Sequence, residues 1–177
     1  IEIEKEIPLP DGTIWYKPKD SKEYLELRQN KFKEWWRKWH TDVLHDDLMM
    51  PIVPNRYDTT FVVHNCYPQL LGALEPWCDR LYVDCNYQWY VDEEKKETMF
   101  DISDKIHPIG DEMKGDVQIM FDGSKLTNEN FTSFIKNIPF IIQQTDSVGS
   151  FEWDAFQLHI FNLRTKDMVP PFFKNVF

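Results

Sequence analysis

The sequence predicts an α+β fold: a single domain built on a mainly antiparallel β-sheet, two amphipathic helices on one face, and extended N- and C-terminal arms. Three observations predict it. Large apolar side chains recur at spacings of three and four in two stretches, one ending near Trp39 and one near Ile138. Several short runs alternate apolar with polar residues, the period of a half-buried strand. Prolines crowd both ends of the chain and keep them out of helices. With 177 residues the chain is long enough to bury a sizeable core in one domain.

Residues 1–19 read as an extended arm. Ile1, Glu2, Ile3 and Glu4 alternate, Pro8, Pro10 and Pro18 forbid a helix, and Asp11-Gly12 is a turn signal. The domain proper spans 20–168. Asp20 followed by Glu23 has the spacing of a capping box. Leu25, Arg28, Phe32, Trp35, Trp36 and Trp39 then form one helical stripe, which holds to about His40 and can be extended towards Met50, ahead of Pro51 and Pro54.

From Thr59 the pattern is mostly β. Strands are expected at Thr60 to His64 and Arg80 to Asp84, with a short helical link from Pro68 to Cys78. Tyr87 to Val91 and Thr98 to Ile102 flank the charged run 92–96 and read as a hairpin. Val117, Ile119 and Phe121 alternate with Gln118 and Met120, closed by Asp122-Gly123. Thr127 caps a second helix carrying Phe131, Phe134, Ile135 and Ile138, which Pro139 is expected to stop. Phe140 to Gln144 and a long strand, Phe151 to Leu163, follow. A phase shift near Ala155 suggests a bulge in that strand. Val169–Phe177 is an extended apolar tail.

Composition narrows the function classes. The net charge of −10 repels phosphate backbones and anionic lipid, and Lys31, Lys33, Arg37 and Lys38 alternate with Trp rather than forming a basic patch. Nucleic acid is therefore not an expected partner. The longest apolar runs, such as Ile138 to Ile142, are too short to span a bilayer, so no transmembrane segment is expected. Cys66, Cys78 and Cys85 contain no CxxC spacing, which argues against a zinc ribbon or a thioredoxin-type pair; three buried thiols are expected, with one disulfide as the alternative.

Three stretches have the residue types of a catalytic centre. His40, Asp42 and His45 are metal-ligand types, yet His40 and His45 are five apart on a helix and diverge; an acidic helix end is the expected outcome. His64-Asn65-Cys66 pairs a thiol with an imidazole but has no cation nearby to form a thiolate. Asp101, Asp104, His107, Asp111, Glu112 and Asp116, with Lys114, could suggest a metal nuclease, but Met120 stands where its strand needs a lysine. The sequon Asn130-Phe131-Thr132 falls in a helix whose Phe131 belongs to the core stripe. No catalytic residue, metal or cofactor is assigned.

What remains is an aromatic fraction of 15% and an apolar tail. Aromatics are enriched at interface centres, and a soluble monomer rarely leaves a large apolar patch in water. The expected role is a non-catalytic accessory or structural subunit of a larger multiprotein assembly, with other protein subunits as partners. Trp35, Trp36, Trp39, Phe172, Phe173 and Phe177 are the expected interface residues. The first residue is Ile rather than Met, as in an imported precursor after processing or in a trimmed piece. A mitochondrial complex is the expected setting, with cytoplasm or virion as alternatives. The alternative functions are a metal-dependent enzyme using the His/Asp cluster and an acidic viral-type binding or inhibitor protein.

Overall fold

Strand order in the main sheet follows from which connections are helical. The structure, a computed structural model, describes residues 3–8, 11, 14–18, 22–98 and 100–166. The chain divides into two compact units, Ile1–Glu34 and Trp35–Phe177.

In the first unit β1 (Ile3–Pro8) and β2 (Ile14–Pro18) pair antiparallel. Within the segment read as an arm, the described residues form two strands bonded to each other, with a turn at Asp11 between them. Gly12 and the expected cap at Asp20 lie outside the described residues, as do the tail residues Phe172, Phe173 and Phe177. Helix α1 (Lys22–Trp39) begins in this unit, where Arg28 lies over the Phe32 ring at 5.5 Å and Leu25 is exposed.

The second unit holds the main sheet. Helix α1 ends at Trp39 because His40 adopts φ 53, so the helix does not extend towards Met50. Instead β3 (Leu44–His45) and β4 (Pro51–Ile52) form a small hairpin. Asp46 closes its turn by accepting from the amides of Leu48 and Met50, both at 2.9 Å. After β5 (Arg56–Tyr57) comes β6 (Thr59–His64), then α2 (Pro68–Leu74), β7 (Arg80–Val83), α3 (Gln88–Glu97), β8 (Ile106–Pro108) and β9 (Val117–Asp122). Helices α4 (Asn128–Ser133) and α5 (Ile138–Thr145) lead to β10 (Gly149–Trp153), β11 (Phe156–Ile160) and β12 (Thr165–Lys166).

The six-stranded sheet has the order β10-β11-β9-β6-β7-β8. It is mixed rather than mainly antiparallel: β6 pairs parallel with β7 and β9, and β7 parallel with β8, while only β10-β11 and β11-β9 are antiparallel. The misreading traces to one stretch. Gln88–Glu97 is helical, not part of a hairpin, because its cap Tyr87 together with Tyr90, Val91 and Glu94 makes an i, i+3, i+4, i+7 face that packs inward. The Glu and Lys between them are good helix formers, and a helix there allows the parallel crossover.

Two further corrections have equally local causes. Pro139 does not stop a helix but sits in the first turn of α5, where its missing N–H is no loss, so 140–144 is helix rather than strand. The phase shift near Ala155 is a hairpin turn and not a bulge. Asp154 takes φ 50, and Trp153 pairs with Phe156. More than two helices result, but their core-facing stripes match the expectation at Phe134, Ile135 and Ile138, all buried. Thr127 caps α4 in a reciprocal box with Asn130. Asn130 is buried in that box and donates to the Lys125 carbonyl at 3.1 Å, which leaves no free amide for a glycan.

One sheet face carries Phe61, Val63, Leu81, Val83, Ile119, Phe121, Phe156 and Leu158 into a single core with residues of α2, α3, α4 and α5. Trp36 stacks on Trp77 (5.0 Å, 25°), and Trp77 meets Phe131 edge-on (5.9 Å). On the other face residues 112–115 cross the sheet: Tyr82 Oη donates to the Glu112 carbonyl at 2.8 Å and Thr60 Oγ1 to the Lys114 carbonyl at 2.5 Å. Gly115, at φ 121, allows this close passage over Thr60. No helix among the described residues is long and apolar enough to cross a membrane.

Candidate functional site

Open α/β sheets bind ligands outside the carboxyl ends of their parallel strands, where the strand order reverses. Here the reversal lies at β6: β7 and β8 are added on one side and β9 on the other. Three polar residues follow the apolar runs of these strands, Asn65 after β6, Asp84 after β7 and Asp122 at the end of β9. This cluster is the candidate site.

Its geometry is closed. Asp84 reaches across to the neighbouring strand end and accepts from the amides of Asn65 (2.6 Å) and Cys66 (2.8 Å). Asn65 holds φ 50, the left-handed conformation that turns successive amides towards one point and makes a concavity for an anion. The anion in that concavity is the protein's own carboxylate. Asp122 accepts from Asn65 Nδ2 at 3.1 Å and from the Ser124 amide and hydroxyl at 2.9 and 2.6 Å. The Ser124 hydrogen bonds hold the Asp122 carboxyl below its ordinary pKa.

Packing closes the place as well. A crevice opens at a strand reversal when the two connections leave towards opposite faces; here both run to the helical face. A Cβ on Gly123 would lie 2.9 Å from Leu70 Cδ1 and 3.1 Å from the Asn65 carbonyl oxygen. A phosphate group would therefore have to displace Asp84 and approach Asp122, against like charge on both counts. The arrangement ties three strand ends together and leaves an acidic rim.

The residues singled out from the sequence are dispersed. His40 is buried near Arg56 and Asp79; burial, and then Arg56, push its pKa well below the ordinary imidazole value, so the ring is neutral. Asp42 accepts from Trp36 Nε1 at 2.9 Å and from Lys136 Nζ at 3.0 Å. His45 is exposed in β3. Among the described residues no group of three or more His, Cys, Asp or Glu is placed to hold a metal ion. Cys66 is buried, and that burial pushes its thiol pKa upward, away from a nucleophilic thiolate; the neighbouring Cys85 and Asp84 act in the same direction. Of the acidic stretch, Asp101 caps Ser103, Asp116 pairs with Arg164 at 3.2 Å, and Asp104, His107, Asp111 and Glu112 edge a recess of about 450 Å³ beside Tyr82. Trp39 is buried, and Trp36 is partly buried against the core.

The sequence reading passed over a second polar assembly, this one inside the protein. Glu75, fully buried, accepts from Arg37 Nη2 (2.7 Å), Lys105 Nζ (2.6 Å) and Tyr90 Oη (3.0 Å), and Glu94 accepts from Arg37 Nη2 at 2.6 Å. Burial alone would raise the Glu75 pKa, but Lys105 and Arg37 outweigh it and hold it at about 2. Next to it Asp79 grips Arg56 through two bonds of 2.7 and 2.9 Å and takes the Thr59 amide at 2.8 Å. These ions fasten the end of α1 to the sheet. The signal for the strand-end site was available in the sequence: Asp84 and Asp122 each follow an apolar run directly.

Against protein-family models, curated proteins and solved structures alike, the chain has no match.

Proposed function

We propose that this chain is a non-catalytic accessory or structural subunit of a larger multiprotein assembly, with other protein subunits as its partners. One observation carries the reading: the β3–β4 hairpin is an apolar projection. Leu48, Met49 and Met50 at its tip are 81%, 74% and 60% exposed, and Val43, Leu44, Ile52 and Val53 on its arms are exposed too. Single exposed apolar side chains need no explanation, but seven within eleven residues concentrate apolar surface of the kind that partners cover. Methionine suits such a surface, because its unbranched side chain adapts to the shape it meets. The strand-end site adds support from the other side, since its anion position is filled by Asp84.

Gel filtration tests the proposal. Protein drawn from its native source should elute as a species much larger than the 21.3 kDa chain, while the recombinant chain elutes alone. Replacing Leu48, Met49 and Met50 together by serine should release the native chain from that species without changing its unfolding temperature. A native profile identical to that of the lone chain contradicts the proposal.

The net charge of −10 favours one second reading, an acidic protein that blocks a basic surface. The two separate by salt. Charge-driven binding weakens steeply with ionic strength, whereas burial of the hairpin does not.

A further inference from the structure

Two thiols lie where two parallel strands end side by side. Cys66 follows β6 and Cys85 follows β7, and the last paired residues of these strands are Val63 and Val83. Just beyond that pair the Asp84 carboxylate takes the Asn65 and Cys66 amides, so the two connections are fastened together at the level of the thiols. Both cysteines are free; Cys66 is buried, and Cys85, half-buried, packs against the same core. The neighbouring Cys85 adds to the upward push that burial gives the Cys66 thiol. Cys78 is set apart from them: it follows the turn Glu75–Trp77 after α2, and its thiol is directed at the Leu74 and Glu75 carbonyls at 3.8 and 3.6 Å.

We propose that Cys66 and Cys85 form a redox-active dithiol, oxidised by a small disulfide such as glutathione disulfide to a bond that cross-links the β6–α2 and β7–α3 connections. The reaction starts at Cys85, the more accessible sulfur. Its thiolate attacks one sulfur of glutathione disulfide, forms a protein–glutathione disulfide and expels one glutathione thiolate. Cys66 then loses its proton to solvent and attacks the Cys85 sulfur, expelling the second glutathione. Two electrons pass from the protein thiols to the glutathione disulfide, and two protons leave. Counting on from the Val63–Val83 pair, Cys66 lies one position beyond the level of Cys85, and the bond from the Cys66 amide to Asp84 at 2.8 Å holds the two connections together there; a bridge needs about 4.4–6.8 Å between Cα atoms. Burial of the Cys66 thiol makes the second step the slow one and speeds it at alkaline pH.

The test is equilibration of the folded chain in glutathione buffers of graded ratio, followed by alkylation, proteolysis and mass spectrometry. Expected is a species two hydrogens lighter, a peptide pair joined through Cys66 and Cys85, and Cys78 still alkylated. In Cys66→Ser, Cys85 should stop at the glutathione adduct, which shows that the oxidant reaches it. In Cys85→Ser no bridge should form. Glutathione adducts on Cys85 of the unmodified chain with no bridged peptide at equilibrium would overturn the proposal. So would a bridge involving Cys78, or three thiols that stay reduced at every ratio.

Discussion

Replacing Glu75 by glutamine is expected to lower the free energy of unfolding by about 3–5 kcal/mol, because it leaves buried cations without their counter-charge. Glu75 is fully buried and is shared by Arg37, Lys105 and Tyr90. With Glu94 the group carries two positive and two negative charges; without the Glu75 charge it keeps a net positive one. Chemical denaturation measures the loss. A companion change, Lys105→Met together with Glu75→Gln, should recover part of it, since the pair is then removed as a unit.

The same groups make the fold sensitive to acid, and the signs agree. The unfolded Glu75 has the ordinary value of 4.5 and the folded one about 2, so its stabilisation is complete above 4.5 and is lost as pH falls towards 2. Asp79 behaves alike, its folded value lowered mainly by Arg56 against the opposing effect of burial. His40 begins the decline earlier. Burial keeps it neutral in the fold, whereas the unfolded chain takes up its proton below about 6.5, so stability starts to drop there. The unfolding temperature should therefore decrease continuously from pH 7 to pH 3. A flat profile from pH 7 to pH 5 would show that His40 is not held neutral.

Replacing Phe134 by alanine is expected to cost about 3–5 kcal/mol, and by leucine about 1.5 kcal/mol or less. Phe134 is 1% exposed, and its ring lies flat on Phe156 at 4.1 Å with the planes 8° apart. Phe156 in turn meets Phe121 at 5.0 Å, so this one ring joins α4 to β11 and β9. The segment between Ser133 and Ile135 does not slide to fill the gap, because a tight turn at Ile135–Asn137 and then α5, with Pro139 in its first turn, hold it from the other side. A loss below about 1 kcal/mol for alanine would mean that the site collapses and the ring is not a fixed part of the core.

How far the fold could be read depended on which local rule had a competitor. The Thr127 cap was legible from its spacing, and Phe134, Ile135 and Ile138 are buried as the stripe required, but the single expected helix breaks after Ser133 into a tight turn at Ile135–Asn137 and then α5. The alternation of Val117, Ile119 and Phe121 was legible for the same reason, and the structure buries those three residues. Residues 87–98 misled because Tyr and Val suit strands in isolation, while the tertiary contact of Tyr90 and Val91 with the core decides for helix. Parallel pairing leaves little local trace at all; it rests on strands far apart in the chain, such as Thr59 beside Val117. The strand-end cluster was missed for that reason, since Asn65, Asp84 and Asp122 meet only once β6, β7 and β9 are aligned. Its carboxylates could have been found as acids placed directly after apolar runs, but their closure on the Asn65 and Cys66 amides could not.

The most direct measurement of a subunit role is amide hydrogen exchange across residues 43–53, compared between the lone chain and the native-source species. In the lone chain this hairpin has two short strands and an exposed apolar tip, so its amides should exchange fast relative to those of β6 and β9. In the assembly a partner that covers Leu48, Met49 and Met50 should slow that exchange by at least tenfold while the sheet amides stay unchanged. Equal exchange of residues 43–53 in both samples would contradict the account.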